Sequence, residues 1–157
     1  MELKPIHFQE LSLSQLYNIL KTRAEVFVVE QNIIYNDMDN KDESSYHLFI
    51  EESGEVISYL RIIPAGISYD EVSIGRVATI SEYRGKGLSR KLLIKAIEFI
   101  INDMKEDKIK ISAQAYLKSF YESLGFKAIS DIYIEEGIEH IKMVYNRYET
   151  KKYTSSI

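Results

Sequence analysis

Apolar residues recur at helical spacing over residues 88–104, through Leu92, Leu93, Ala96, Ile97, Ile100, Ile101 and Met104, and predict one long amphipathic helix. A second helical pattern covers 14–31, with Ser14 as its N-cap and Leu16, Leu20, Ala24, Phe27 and Val28 as its apolar stripe. A polar, acidic loop follows over 32–45. Residues 46–51 and 56–63 are extended apolar runs flanking Ser53-Gly54 and predict a hairpin, with a third antiparallel strand over 71–80. Beyond the long helix, 109–115 reads as a buried strand and 116–124 as a short helix stopped by Gly125. Residues 126–134 and 138–145 make a second hairpin around Glu136-Gly137. The order strand, helix, three strands, helix, strand, helix, two strands predicts a mixed α/β fold, with a mostly antiparallel central sheet flanked by helices and a central crossover helix. Pro5 and Pro64 both fall near strand ends, and no internal repeat interrupts the pattern. Residues 1–146 are expected to form a single domain, and the polar, aperiodic 147–157 to fray.

Composition narrows the chemistry. The chain has 157 residues, 45% apolar and 28% charged, which suits one soluble domain with a sizeable core. Nothing in it approaches a membrane span or a signal peptide, so the cytoplasm is the expected compartment and no membrane partner is expected. The absence of cysteine removes disulfides, thiolate metal ligands and a cysteine nucleophile. A net charge of −4 argues against a nucleic-acid partner and suits a cationic small substrate. Homodimer formation is left open.

Against this acidic background, Arg84, Lys86, Arg90, Lys91 and Lys95 form one acid-free stretch at the turn into the long helix. Gly85 and Gly87 remove side chains where the backbone bends and exposes its amides, and the helix start adds unpaired N–H groups and a positive dipole end. Such a turn suits an anion. The Walker pattern is absent, and Arg90 stands where the dinucleotide fingerprint needs its third glycine. Arg84, Gly87 and Ser89 resemble the Arg/Gln-x-x-Gly-x-Gly/Ala loop of the GNAT acyltransferases, with Ser89 in place of the usual small residue and able to cap the helix or reach a phosphate. Phe120-Tyr121-Glu122-Ser123-Leu124-Gly125-Phe126 resembles the Phe-Tyr-x-x-x-Gly-Phe signature of the same superfamily. The first-helix segment 23–31, the sequence Gly75-Arg76-Val77, Ala113-Gln114-Ala115, and Glu136-Gly137-Ile138 with His140-Ile141 are similar in kind and order to the ElaA-type members. So are Tyr35, Asp37, Asp39 and Asp42. Ile33-Ile34 depart from the usual Cys-Pro, and Asn40 from a common glycine.

The resemblance implies the GNAT acyl-CoA N-acyltransferase fold and transfer of an acetyl group from acetyl-CoA to an amine on a small molecule or peptide, without a metal. It also implies that backbone around Arg84, Gly85, Lys86, Gly87, Leu88, Ser89 and Arg90 holds the diphosphate. Val77, Ala78 and Thr79 would pair with the pantetheine arm, and Tyr121 would protonate the leaving thiolate. The chain has 12 tyrosines, so amphipathic packing competes with that role. An acyl-CoA-binding module without turnover is the alternative.

A lysine-type amine with a pKa near ~10.4 is almost wholly protonated at neutral pH, so a base is expected. Glu30 is one candidate. At 3.6 residues per turn, Arg23, Phe27 and Glu30 share a stripe, which leaves Glu30 as base, as anchor for the amine, or as half of an ion pair with Arg23 or Arg76. His140 is the other, since imidazole titrates in the useful range, although a lone strand histidine is more often structural. His47 carries the structural reading more heavily. The acidic run from Asp37 to Glu43 lacks the glycine and ligand spacing of a calcium loop and reads as solvated or as attracting a cationic substrate.

Overall fold

A computed structural model describes residues 3–150. A short strand β1 (Ile6–His7) precedes helix α1 (Leu13–Arg23), which continues as π-helix over Ala24–Glu30. Strands β2 (Tyr46–Glu52), β3 (Glu55–Ile63) and β4 (Ser73–Thr79) follow, then α2 (Leu88–Asn102), β5 (Lys108–Gln114), α3 (Lys118–Ser123), β6 (Lys127–Ala128), β7 (Tyr133–Glu135) and β8 (Ile138–Asn146). The mixed α/β order and its crossover helix match the sequence pattern.

Helix α1 starts two residues earlier than expected. Ser12, not Ser14, is the N-cap: its hydroxyl accepts from Gln15 N, and Gln15 accepts in return from Ser12 N. That reciprocal pair satisfies two donors that helix geometry leaves open. The buried stripe is also shifted, to Ile19, Thr22, Arg23 and Val26, with Ala24 exposed. Its wider π-helical turn, with five-residue hydrogen bonding, breaks the 3.6-residue register beyond Arg23. Arg23 is consequently fully buried while Glu30 emerges at the surface, and the two do not share a stripe.

Strands β1 to β4 form one antiparallel sheet in sequence order, and β5 pairs with β8, which also carries β6 and β7. Strand β3 is buried along almost its whole length because α2 covers one face and α1 the other. On the α2 side, Leu92, Leu93, Ala96, Ile97 and Ile100 pack with Leu48, Leu60, Ile62 and Ile74. Each fully buried aliphatic side chain of this kind contributes about 1.5–3 kcal/mol. On the α1 side, Ile19 packs with Val56 and Tyr59.

Two irregularities shape the site. The sheets meet at a parallel bridge between Val72 and Ile109, where Lys110 N donates to Val72 O at 2.9 Å, and among the described residues β4 and β5 pair nowhere else. They therefore splay toward Thr79 and Gln114. Between Tyr59↔Ala78 and Arg61↔Gly75, two residues of β4, Arg76 and Val77, oppose Leu60 alone, which is a β-bulge.

The predicted second hairpin is present, with its first strand split into β6 and β7. Of the tail expected to fray, residues 147–150 form a turn held by Arg147 N to Asp107 O at 3.0 Å and Thr150 N to Asn146 O at 3.0 Å, and 151–157 lie outside the described residues. No helix among the described residues is long and apolar enough to cross a membrane.

Candidate active site

The splay between β4 and β5 opens into a cleft of about 680 Å³. Glu30, Val77, Ala78, Thr79, Arg84, Ser89, Tyr121 and His140 all line it. One cavity thus gathers residues from the end of α1, the bulged strand, the glycine turn, α3 and β8.

At one end, Gly85 and Gly87 adopt φ of +79° and +78°, conformations that a side chain would strain, and Gly87 is the N-cap of α2. The first helical bond there is Lys91 N to Gly87 O at 3.1 Å, and no side chain caps the helix, so the amides of Leu88, Ser89 and Arg90 lack helical partners. Ser89 does not cap. Its hydroxyl lies 2.8 Å from Thr79 Oγ1, which is 2.8 Å from Ser58 Oγ, so three hydroxyls tie the start of α2 to β4 and β3. Arg84 turns back from the turn: its Nε donates to Thr79 O at 2.8 Å, and its guanidinium grips both carboxylate oxygens of Glu30, with Nη2 to Oε1 at 2.7 Å. That bond holds the Glu30 carboxyl below its ordinary range. Lys86 lies over the Tyr83 ring, and Arg90 over Phe120, with Nη2 donating to Ser123 Oγ at 2.7 Å.

In the middle of the cleft, Tyr121 is held edge-on between Phe120 and Phe126. Its ring packs in the core, as the competing reading anticipated, yet the residue also lines the cleft. Burial pushes its pKa well above the ordinary phenol value, so it stays protonated. Across from it, His140 Nδ1 is 2.8 Å from Ile138 O. A carbonyl only accepts, so Nδ1 carries a proton, while Nε2 lies 3.8 Å from Glu135 Oε2.

Glu43 of the acidic loop is exposed, but the loop's aspartates are paired and not free to attract a cation. Asp37 and Asp42 are buried, and three arginines from three elements hold them: Arg23 of α1, Arg61 of β3 and Arg76 of β4. Arg23 bonds Asp37 at 2.9 Å and Asp42 at 2.6 Å; Arg61 bonds Asp42 at 2.9 Å and Asp39 at 2.8 Å; Arg76 bonds Asp37 at 2.8 Å. Sequence reasoning missed this network, because its partners are 14 to 39 residues apart. Burial opposes ionisation of Asp39 and Asp42, but the arginine bonds outweigh it and their carboxyls fall below the usual range. His47 is structural, 2.6 Å from Tyr59 OH and 3.0 Å from Asp42 O, and burial lowers its pKa. No group of three or more His, Asp or Glu among the described residues is arranged to hold a metal ion.

A strand that splays from its neighbour beside an uncapped helix start fits the acyltransferase resemblance of the sequence. The family model for the acetyltransferase (GNAT) domain matches residues 11–147, and the chain belongs to the GNAT acetyltransferase family. Among its relatives, Protein ElaA of Escherichia coli strain K12 is 37% identical over 145 residues, covering 91% of this chain and 95% of that protein. The crystal structure of Escherichia coli ElaA superposes with a TM-score of 0.85 at 35% identity, covering 93% of this chain and 100% of that one. An acyl-CoA N-acyltransferase from Pseudomonas aeruginosa superposes at 0.86 and 34% identity, covering 92% and 98%.

Proposed function

We propose that this protein transfers an acetyl group from acetyl-CoA to a primary amine by direct attack of the amine on the thioester. The observation that carries the reading is the continuous cleft from the uncapped start of α2, along the free edge of β4, to Tyr121 and His140. Backbone amides from Gly85 to Arg90 receive the diphosphate, where a helix N-terminus favours negative charge. The pantetheine arm then lies along Val77, Ala78 and Thr79 as an added strand, because β5 leaves that edge of β4 unpaired.

The amine nitrogen attacks the carbonyl carbon, and the oxygen gains charge that a backbone amide at the bulge of β4 stabilises. Collapse breaks the carbon–sulfur bond, and Tyr121 gives its proton to the departing thiolate. His140 is the preferred base for the amine proton, since it lines the cleft and Ile138 O engages Nδ1, which leaves Nε2 as the nitrogen that could accept a proton. Glu30 is bound to Arg84 and is the weaker candidate; its pair instead joins the end of α1 to the turn before α2. The chain has no cysteine to carry an acyl group, in keeping with direct transfer. The relationship to an acyl-CoA N-acyltransferase at 34% identity supports the donor.

The test is thiol release from acetyl-CoA with a panel of polyamines, amino acids and peptides, alongside calorimetric binding of CoA. Amine-dependent release that Tyr121→Phe suppresses without loss of CoA affinity supports the proposal. Binding without turnover across the panel would instead favour an acyl-CoA-binding module.

A further inference from the structure

Arg76 occupies a backbone position that a non-glycine residue normally avoids. Its φ is +52°, in the left-handed region, and it sits inside the β4 bulge opposite Leu60. Such a conformation is strained for a residue with a side chain and persists where surrounding contacts over-determine it. Glycine is the inexpensive choice at a bulge of this kind, yet the neighbouring Gly75 is not left-handed. An arginine here calls for a reason in its side chain.

The contacts supply one. Arg76 Nε donates to Asp37 Oδ1 at 2.8 Å, and Nη2 donates to the Asp37 carbonyl at 2.8 Å and to Asp39 Oδ2 at 3.4 Å. The guanidinium lies 5.6 Å from the centre of the Tyr35 ring, and Tyr35 OH donates to Asp37 Oδ1 at 3.0 Å. Asp37 is fixed in turn by Arg23, whose Nε bonds Oδ2 at 2.9 Å and whose Nη2 bonds the same carbonyl at 3.1 Å. Arg23 is wholly buried on α1. A chain of charged hydrogen bonds therefore runs from α1 through Asp37 to the bulge, and Gly75, Arg76, Val77 and Ala78 all line the cleft that holds Tyr121 and His140.

We propose that Arg76 is a positioning residue: its grip on Asp37 holds the bulge of β4 so that a backbone amide of the bulge meets the thioester carbonyl. The inference rests on the acetyl-transfer reading above. It also means that the wall of the cleft around Tyr35 to Asp39 and the carbonyl-binding backbone are set by the same side chain, so that displacing one displaces the other. The turn before α2 is held by different contacts, through Arg84, Ser89 and Thr79.

The experiment uses the full chain and three variants, Arg76→Met, Arg76→Gly and Arg76→Lys, each studied below its melting point. Methionine keeps the bulk and removes the grip; glycine relaxes the backbone strain and also removes the grip; lysine keeps the charge without the two-pronged geometry. The readouts are the infrared carbonyl stretch of bound, carbon-13-labelled acetyl-CoA, kcat for acetyl transfer, and CoA affinity. In the parent the stretch should lie below that of free acetyl-CoA, as a polarised carbonyl requires. In all three variants it should return toward the free value while CoA affinity falls by much less than kcat. The fall in kcat should be about 10–100-fold, less than the ~10²–10³ of deleting an oxyanion donor, because the donor is displaced and not removed.

If Arg76→Met does not fold, Arg76→Gly and Asp37→Asn carry the same test. A folded variant that keeps both the parent's carbonyl shift and its kcat overturns the role of Arg76 and leaves the acetyl-transfer reading standing. A parent that binds CoA but neither shifts the carbonyl nor releases thiol with any amine overturns both.

Discussion

Replacing Asp42 with alanine should be among the most destabilising single changes in this chain. One carboxylate oxygen of Asp42 accepts from Arg23 Nη1 at 2.6 Å and from Arg61 Nη1 at 2.9 Å, and both arginines are almost wholly buried. In the intact network three arginines face three aspartates; in Asp42→Ala three face two, and one positive charge is left uncompensated where water has little access. Breaking a buried ion pair from one side costs about 3–5 kcal/mol, a large share of the ~5–15 kcal/mol that holds a domain together. At roughly 2–4 °C per kcal/mol for a chain of this length, the melting point should drop by about 6–20 °C. Circular dichroism melts and urea titrations of parent and variant measure it. Adding Arg23→Met restores the balance of charge, two arginines against two aspartates, so the double variant should recover much of the loss. A single variant that melts within about 3 °C of the parent, against the scale above, or a double variant no better than the single, refutes the reasoning.

Tyr121→Phe keeps the aromatic packing against Phe120 and Phe126, so the fold should be unaffected while kcat falls toward the low end of the ~10²–10⁴-fold range for general acids. Full turnover at all pH values would make Tyr121 packing alone. Gly87→Asp should fold, because a Cβ at that position meets no atom within 4 Å, but it should lose CoA binding in calorimetry, since a carboxylate and a strained turn replace the anion-binding backbone. Stability should fall as pH drops below about 6.5, the ordinary histidine value, because burial lowers the pKa of His47 and a lowered pKa gives stability that is present above the unfolded value and lost on acidification. The lowered carboxyls of Asp39 and Asp42 extend the loss below about pH 4. Denaturant midpoints followed from pH 8 to pH 3 check this, and His47→Gln should flatten the upper part of the curve.

What the sequence made legible was local. The apolar repeat over 88–104 becomes α2, Leu88–Asn102, because one stripe of an exposed helix must bury itself on a sheet. Ser53-Gly54 turns the first hairpin with φ of +52° and +80°, as a short turn between alternating runs requires. The glycine turn and Tyr121 were readable for the same reason, since each is carried by neighbours in the chain. The start of α1 was readable too: Gln15 three residues after Ser12 is the capping-box spacing, and Ser14 has no such partner. The ion network was not. Asp37, Asp39 and Asp42 sit in a stretch with few apolar neighbours, which reads as solvated, and only the fold brings Arg23, Arg61 and Arg76 to them. Glu30 and Arg84, 54 positions apart, are hidden in the same way, and the π-helical turn that exposes Glu30 violates the period on which its stripe was assigned.

The engagement of Arg84 bears on how the diphosphate would be held. A free guanidinium at the glycine turn would supply a point charge, but this one already donates to Thr79 O and to both oxygens of Glu30, and the bond to Glu30 raises its pKa further. Arg90 is similarly occupied by Ser123 and Phe120. On the proposed reading, the attraction for a phosphate would then fall to the amides of Leu88, Ser89 and Arg90, which lack helical partners, and to the dipole of α2, groups that every sequence possesses and that need only a glycine turn to be exposed. The opposite end of the cleft is built from arginines and aspartates whose partners lie on separate elements. On the proposed reading the backbone end would serve the donor, which leaves the side-chain end, around Tyr35 and Asp39, to the acceptor.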